Sequence, residues 1–303
     1  MNTVKSSSVA AVVVTYNRRN LVKECIEAIL GQRNASCDII VIDNGSTDGT
    51  EELFHSVFKN SSIDYENVGE NLGCAESTAR MVKKATERGY KYIWVMDDDV
   101  VPEPNALEEL LKAGKKLDDN WGILSGVAYW TNGSICEANR QKKTIFTFMK
   151  ESDYKKDLVK VKMVSLASMF IKAEAVKRVG TLKGEYFIYS EDYDFCARVG
   201  KYYPIYVVTA CKVTHKMREN RKVNFVKEPP DRLYRYKYLY RNDVDCYRQL
   251  GISGWSYLSI KFIYTFMQVL IFEKNYKVEK IRTLTEGYKS GLCFRPVVER
   301  IQL

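Results

Sequence analysis

The sequence predicts an α/β fold: an open, mostly parallel sheet flanked by helices, with a helical appendage at its C-terminal end. Three observations carry this. Short apolar, β-branched runs at Val9–Thr15, Asp38–Asp43 and Tyr92–Met96 have the continuous hydrophobicity of strands buried on both faces. Helical spacing separates these runs, and repeated βαβ units call for a parallel sheet. After Asn220 the strand signals give way to Tyr, Lys and Arg at helical spacing, so residues 1–220 read as one domain and 221–303 as another.

Taken in order, Val9–Thr15 is the first strand. Asn20 reads as the cap of a helix with Leu21, Cys25, Ile26, Ile29 and Leu30 on one side and Gly31 at its end. Asp38–Asp43 is the second strand, and the turn Asn44–Gly49 leads to a helix over Thr50–Lys59, with Ser46, Thr47 or Asp48 as its cap. A short strand near Ile63–Glu66 precedes a helix over Cys74–Arg88. Tyr92–Met96 runs directly into Asp97-Asp98-Asp99. A helix over Pro104–Lys116, with proline at its start, precedes a strand at Gly122–Ala128. Tyr129–Lys162 is irregular and polar; Met163–Ile171 and Pro204–Thr209 read as further strands, with a helix over Tyr193–Gly200 between them.

The formal charge of +9 is concentrated near one end: from Arg221 onward there are 16 Lys and Arg against 8 Asp and Glu. Such a block points to an anionic partner. Eight scattered cysteines without a C-x-x-C pair argue against a zinc site or disulfide scaffold and fit reduced thiols in a cytosolic compartment. Met1–Ser8 is polar and Val9–Val14 is too short for the core of a signal peptide. Trp255–Phe272 is largely apolar, but Lys261, Thr265 and Gln268 form one polar stripe at helical spacing. A central lysine costs a spanning helix about 2.5–3.5 kcal/mol. An amphipathic helix, lying on a membrane or packed on the domain, is therefore expected.

Asp97-Asp98-Asp99 is the strongest chemical signal. Adjacent carboxylates repel unless solvated or neutralised, and these follow a buried strand, at the sheet edge where open α/β folds bind ligands. Hard oxygen ligands suit Mg²⁺ or Mn²⁺ bridging to substrate phosphates. Asp43 marks the same edge, within turn-forming DNGSTDGT. Glu191-Asp192 begins a helix after Tyr186, Phe187 and Tyr189, so it is either a helix cap or a general base walled by aromatic rings. Of the two histidines, His55 reads as a surface residue and His215 as a structural residue or a metal ligand. The chain has no G-x-x-x-x-G-K-[ST] loop, no G-x-G-x-x-G after its first strand and no G-x-S-x-G elbow, which disfavours P-loop, dinucleotide redox and elbow-serine chemistry.

In this order VVVTYNR (Val12–Arg18), VIDNGSTDGT (Val41–Thr50), NLG (Asn71–Gly73), the aspartate triplet and Glu191-Asp192 resemble the family-two glycosyltransferases of GT-A fold, over roughly the first 215 residues. The resemblance implies that Thr15, Tyr16, Asp43 and Asn71 line a nucleotide pocket. It further implies that Asp97 and Asp99 hold a divalent metal on the donor diphosphate, with Asp98 near the ribose or sugar, and that Asp192 is the base. A triple-Asp form with a later histidine, and Tyr240-Arg241-Asn242 after it, is most similar to bacterial galactofuranosyl- and rhamnosyltransferases, in which the histidine completes the metal site; this assigns His215 as a ligand.

The resemblance thus implies an inverting transfer from a nucleotide-diphosphate sugar, UDP-galactofuranose ahead of dTDP-rhamnose, to a glycan or lipid-linked acceptor hydroxyl in bacterial surface polysaccharide synthesis. The expected location is cytoplasmic, peripheral on the inner face of the membrane, with an anionic membrane surface rather than nucleic acid as the basic region's partner. A sugar-phosphate nucleotidyltransferase would need a glycine-rich N-terminal phosphate loop, and TYNRRN offers none. A non-catalytic basic surface-binding protein would leave the acidic edge unexplained.

Overall fold

The computed structural model describes residues 6–59, 61–144, 147–222 and 224–301; most of the polar start Met1–Ser8 lies outside them. The elements follow in the order β1 (Val9–Thr15), α1 (Arg19–Leu30), β2 (Asp38–Asp43), α2 (Thr50–Ser56), β3 (Ile63–Asn67), α3 (Gly73–Glu87), β4 (Tyr92–Asp97), β5 (Val100–Pro102), α4 (Ala106–Lys116) and β6 (Ile123–Tyr129). After these come β7 (Leu158–Val161), β8 (Met169–Lys172), α5 (Ala173–Val179), α6 (Glu191–Val199), β9 (Ile205–His215), α7 (Leu233–Arg248), α8 (Ile252–Phe272) and α9 (Lys277–Cys293).

The sheet is mixed, ordered β3-β2-β1-β4-β8-β6-β9-β5, with β7 also paired to β9. The half β3-β2-β1-β4 is parallel. β1 explains the continuous apolar runs: Val9, Ala11 and Val13 pack with α1 and α4 on one face, while Ala10 and Val12 pack with α3, α5 and α6 on the other. A strand covered on both faces has no polar side to alternate with. The chain winds outward from β1 to β3 and then returns to place β4 on the other flank of β1. This reversal opens a crevice at the carboxyl ends of β1 and β4.

Several elements differ from the sequence-based reading. α1 begins at Arg19, and its exposed first amide is satisfied from another loop, where Asp48 accepts from the Arg19 N–H at 2.8 Å. Asp48 also accepts from Thr50 Oγ1 at 2.5 Å at the start of α2, so it serves the starts of both helices. The run Met163–Ile171 is broken by a single 3-10 turn at Leu166–Ser168, so only Met169–Lys172 forms a strand. β5 and β7, three and four residues long, were not foreseen. β9 extends well past Thr209, to His215, because it takes partners on both edges: β6 on one side, and β7 then β5 along the other.

α7, α8 and α9 follow the sheet. Gly287 and Gly291 let α9 lie close on α7: a Cβ at either would come within 2.7 Å of Tyr240 or Val244. Val244, Tyr247 and Leu258 bury against Ala75 and Tyr186 of the sheet region, so these helices are seated on the α3 side of the molecule.

Candidate active site

Four strand ends build the site. Thr15 ends β1, Asp43 ends β2 and Asp97 ends β4. Asp98 and Asp99 then form the turn from which β5 leaves, and β5 pairs with the end of β9 so that Val100 lies opposite His215. The Lys216 N–H donates to the Asp99 carbonyl at 2.8 Å and closes that pairing. This register brings His215 to the aspartate triplet across more than a hundred residues of chain.

Asp97, Asp99 and His215 each present a ligand atom within 4.8 Å of the others. Asp99 and His215 are buried. His215 Nε2 lies 2.8 Å from Asp99 Oδ1, yet that oxygen, itself buried, has no hydrogen-bond partner of good geometry among the described residues. On the far side of the ring, Nδ1 lies 2.8 Å from Asn139 Oδ1, while Asn139 Nδ2 donates to Ser165 at 3.0 Å. The amide oxygen therefore faces the ring, the proton belongs on Nδ1, and Nε2 is left as the ligating atom. Two carboxylates and an oriented imidazole suit a divalent cation that accepts mixed oxygen and nitrogen ligands, and the orphaned Asp99 oxygen fits such an ion.

Without a cation, burial and neighbouring charges shift the members of the cluster in both directions. Burial disfavours charge on His215, but Asp99, Cys136 and Asp97 outweigh it and raise the pKa to about 10. Burial raises Asp97 despite the opposing charges of His215 and Arg18. Burial also raises Asp98 to about 6, although Arg18 and Thr15 pull it down. Asp99 is held below the usual carboxylate range, because His215 and Arg18 overcome its burial.

Asp98 takes a hydrogen bond from Thr15 Oγ1 at 2.9 Å and another from Arg18 at 2.9 Å. The same Arg18 nitrogen reaches Asp99 at 2.8 Å, so Arg18 braces the turn from the α1 side while its side chain stays 43% exposed. Asp43 is fully buried, accepting from Tyr65 at 2.7 Å and from the Ser46 N–H at 2.8 Å. Tyr16 lies exposed at the open edge. Asn71 is exposed in the loop before α3, where its side chain accepts from the Gly73 N–H at 3.0 Å.

Asp192 lies in the first turn of α6, its Oδ1 accepting from the Tyr193 N–H at 2.7 Å. Burial raises it to about 6, with Lys142 opposing and Asp97 adding to the rise. Glu191 is raised further, to about 8, by burial and by the charge of Asp192, and its Oε2 is buried without a hydrogen-bond partner among the described residues. The charge of Asp97 acts on both residues, so the α6 start lies within electrostatic range of the acidic cluster.

The segment leading to Asp192 is strained. Phe187, Tyr189 and Ser190 all have positive φ, a conformation that costs a non-glycine residue roughly 1–2 kcal/mol. Two elements hold it there. The Phe187 carbonyl accepts from the Ala75 N–H at 3.1 Å, and a Cβ on Gly73 would sit 2.5 Å from Phe187, so only glycine permits this approach. From α7, Asn242 Nδ2 donates to the carbonyls of Tyr186, Ile188 and Tyr189 at 3.0, 3.1 and 2.8 Å, and Arg241 donates to that of Glu185 at 2.6 Å. The Tyr-Arg-Asn sequence is thus a clamp on the loop that carries Asp192.

Arg18, Asn139, Lys142 and Tyr65 were not foreseen as parts of this site. Arg18 belongs to a motif singled out in the sequence; Asn139 and Lys142 lie in an irregular stretch with no local signal. His55 is the exposed surface residue expected, 3.6 Å from Glu51 on α2.

A family model described as glycosyl transferase family 2 matches residues 10–180. The poly-beta-1,6-N-acetyl-D-glucosamine synthase of Staphylococcus aureus (strain MSSA476) is 23% identical over 126 residues, 42% of this chain and 30% of that protein. An uncharacterized glycosyltransferase of Rickettsia typhi is 27% identical over 197 residues, 62% of this chain and 57% of that protein. The chain therefore spans only part of the length of either relative. Among solved structures, S. aureus TarS 1–349 is similar with a TM-score of 0.52 at 13% identity, over 93% of this chain and 72% of that one. GalNAc-T7 with UDP, GalNAc and Mn²⁺ is similar with a TM-score of 0.64 at 12% identity, over 94% of this chain and 56% of that one. At these identities the likeness is one of fold, and both neighbours share the GT-A architecture. The family match runs from β1 to the end of α5, more than half of the sequence, and stops short of Asp192 and His215; on that match the chain belongs to glycosyl transferase family 2.

Proposed function

We propose that the protein is an inverting, metal-dependent glycosyltransferase acting on a nucleotide-diphosphate sugar and an acceptor hydroxyl. The observation that carries the reading is the meeting of Asp97, Asp99 and His215 at the β1–β4 crevice with Asp192 beside them. Thr15, Tyr16, Asp43 and Asn71 line the nucleotide side, and Asp98 lies toward the ribose or sugar while bracing Arg18. Asp97, Asp99 and His215 would hold the divalent cation, Mn²⁺ or Mg²⁺. When bound, such an ion acts as a Lewis acid, neutralising charge on the departing diphosphate.

Asp192 takes the proton of the acceptor hydroxyl as that oxygen attacks the anomeric carbon from the face opposite the leaving group. A single displacement inverts configuration. Holding Asp192 near pKa 6 leaves it mostly ionised at neutral pH yet basic enough to accept a proton. Glu191, raised further by burial and by the charge of Asp192, is the poorer candidate for that role.

The name of the S. aureus relative favours a glycan product, and the UDP and Mn²⁺ named with GalNAc-T7 favour a uridine donor and a divalent ion. Within that class we favour UDP-galactofuranose, then dTDP-rhamnose, on the triple-Asp and histidine pattern, and a glycan or lipid-linked acceptor of a bacterial surface polysaccharide. Incubation with a panel of nucleotide sugars, with Mn²⁺ or with EDTA, tests this. Metal-dependent release of nucleoside diphosphate from one donor is expected; release from none, across uridine and thymidine sugars, would overturn it.

A further inference from the structure

α8 wears its amphipathicity the wrong way round for a helix facing water. Its one charged residue, Lys261, turns back to ion-pair with Asp243 of α7, and Thr265, next on the same stripe, is buried. Gly254, Leu258 and Val269 complete the face packed on the protein. The opposite face is apolar and open: Ile260, Ile263, Tyr264, Met267, Ile271 and Phe272 are each 46–68% exposed. The first five fall at helical spacing and form a single stripe along the outer side. The helix is 21 residues long, contains no carboxylate, and spans about 30 Å. By length and composition it is apolar enough to cross a membrane, but its inner face is committed to α7 and α9.

Charge identifies what covers the stripe. After α8 comes Glu273, buried and paired with Lys280, and then exposed Lys274; Lys277 begins α9, and the chain from Arg221 onward carries twice as many basic as acidic residues. A second copy would set two basic surfaces against each other. An anionic lipid leaflet answers both the apolar stripe and its basic flank. From this we infer that α8 lies in the plane of an anionic membrane surface, with Ile260, Ile263, Met267 and Ile271 among the acyl chains and Lys274 and Lys277 at the headgroups. The inference stands apart from the transferase reading, since vesicle binding requires neither donor nor metal.

Flotation of the full chain with vesicles of phosphatidylcholine, alone or mixed with phosphatidylglycerol, tests it at low and high salt. Binding to the anionic vesicles is expected, weakened by salt. Combining Ile260→Ser, Ile263→Ser and Ile271→Ser should lower that affinity by more than about tenfold. Lys274→Gln with Lys277→Gln should flatten the salt dependence. These positions are exposed, so an unchanged thermal midpoint is the check on folding. Independently, an environment-sensitive label on Ile263→Cys should blue-shift when anionic vesicles are added. Failure to bind either vesicle, or equal binding by the triple variant, overturns the proposal. So does a dimer in light scattering that the triple variant dissolves, or a chain that alkaline carbonate cannot extract from membranes.

Discussion

His215 carries two demands that its neighbours reconcile. Asn139 fixes its tautomer so that Nε2 faces the carboxylates, while those carboxylates raise its pKa to about 10. A cation taking Nε2 must displace that proton. Below about pH 10 the imidazole is protonated, so raising the pH removes the competing proton and strengthens metal binding. Calorimetry of Mn²⁺ binding should show an affinity that climbs between pH 6 and pH 8, with proton release to buffer. His215→Gln should remove most of that pH dependence. Asn139→Ala, which frees the ring to turn, should weaken Mn²⁺ about 10–100-fold without unfolding the protein. An affinity that is flat with pH, and unchanged in both variants, would return His215 to a purely structural role.

Among the elements, the α7 clamp shows how a helix outside the sheet governs a residue on its edge. One amide, Asn242 Nδ2, shares its two protons among three carbonyls of a segment that holds Phe187, Tyr189 and Ser190 at positive φ. Asn242→Ala should cost about 1–3 kcal/mol of stability, as buried acceptors lose their donor. It should also lower the turnover number of transfer while leaving nucleotide affinity near normal, because Thr15 and Asp43 are untouched; thermal melts and steady-state kinetics would separate the two effects. The motif was visible in the sequence, but its partners were not, since hydrogen bonds to backbone carbonyls leave no pattern in residue type. The long apolar strands were legible for the opposite reason: burial on both faces writes itself into every residue of Val9–Thr15. β5 and β7 were illegible because three or four residues at a sheet edge carry no periodicity, and the missed β5 is what places His215. The polar stripe of α8 was readable too, but not which way it faced, because periodicity gives a stripe and only packing gives its direction.

For the molecule as a whole, the parallel half of the sheet gathers Thr15, Asp43 and Asp97 on one edge. The mixed half then delivers His215 to that edge, and α6 sets Asp192 beside it. The charge distribution is uneven: acidic groups gather at the crevice, and the chain from Arg221 onward carries twice as many basic as acidic residues. Asp97, Asp99 and Asp192 could be singled out from their place after a strand or at a helix start, whereas Arg18, Asn139 and Lys142 depend on loops whose course only the fold sets. The proposed mechanism needs Asp192 to act as a base distinct from the groups that would hold donor and metal. Its most direct test is Asp192→Asn, measured for transfer and for nucleoside diphosphate binding in the same buffer with Mn²⁺. The amide keeps the shape and cannot take the proton, so transfer should fall about 10²–10⁴-fold with a near-normal dissociation constant for the nucleotide. Full transfer by Asp192→Asn, or a loss shared equally by nucleotide binding, would contradict it.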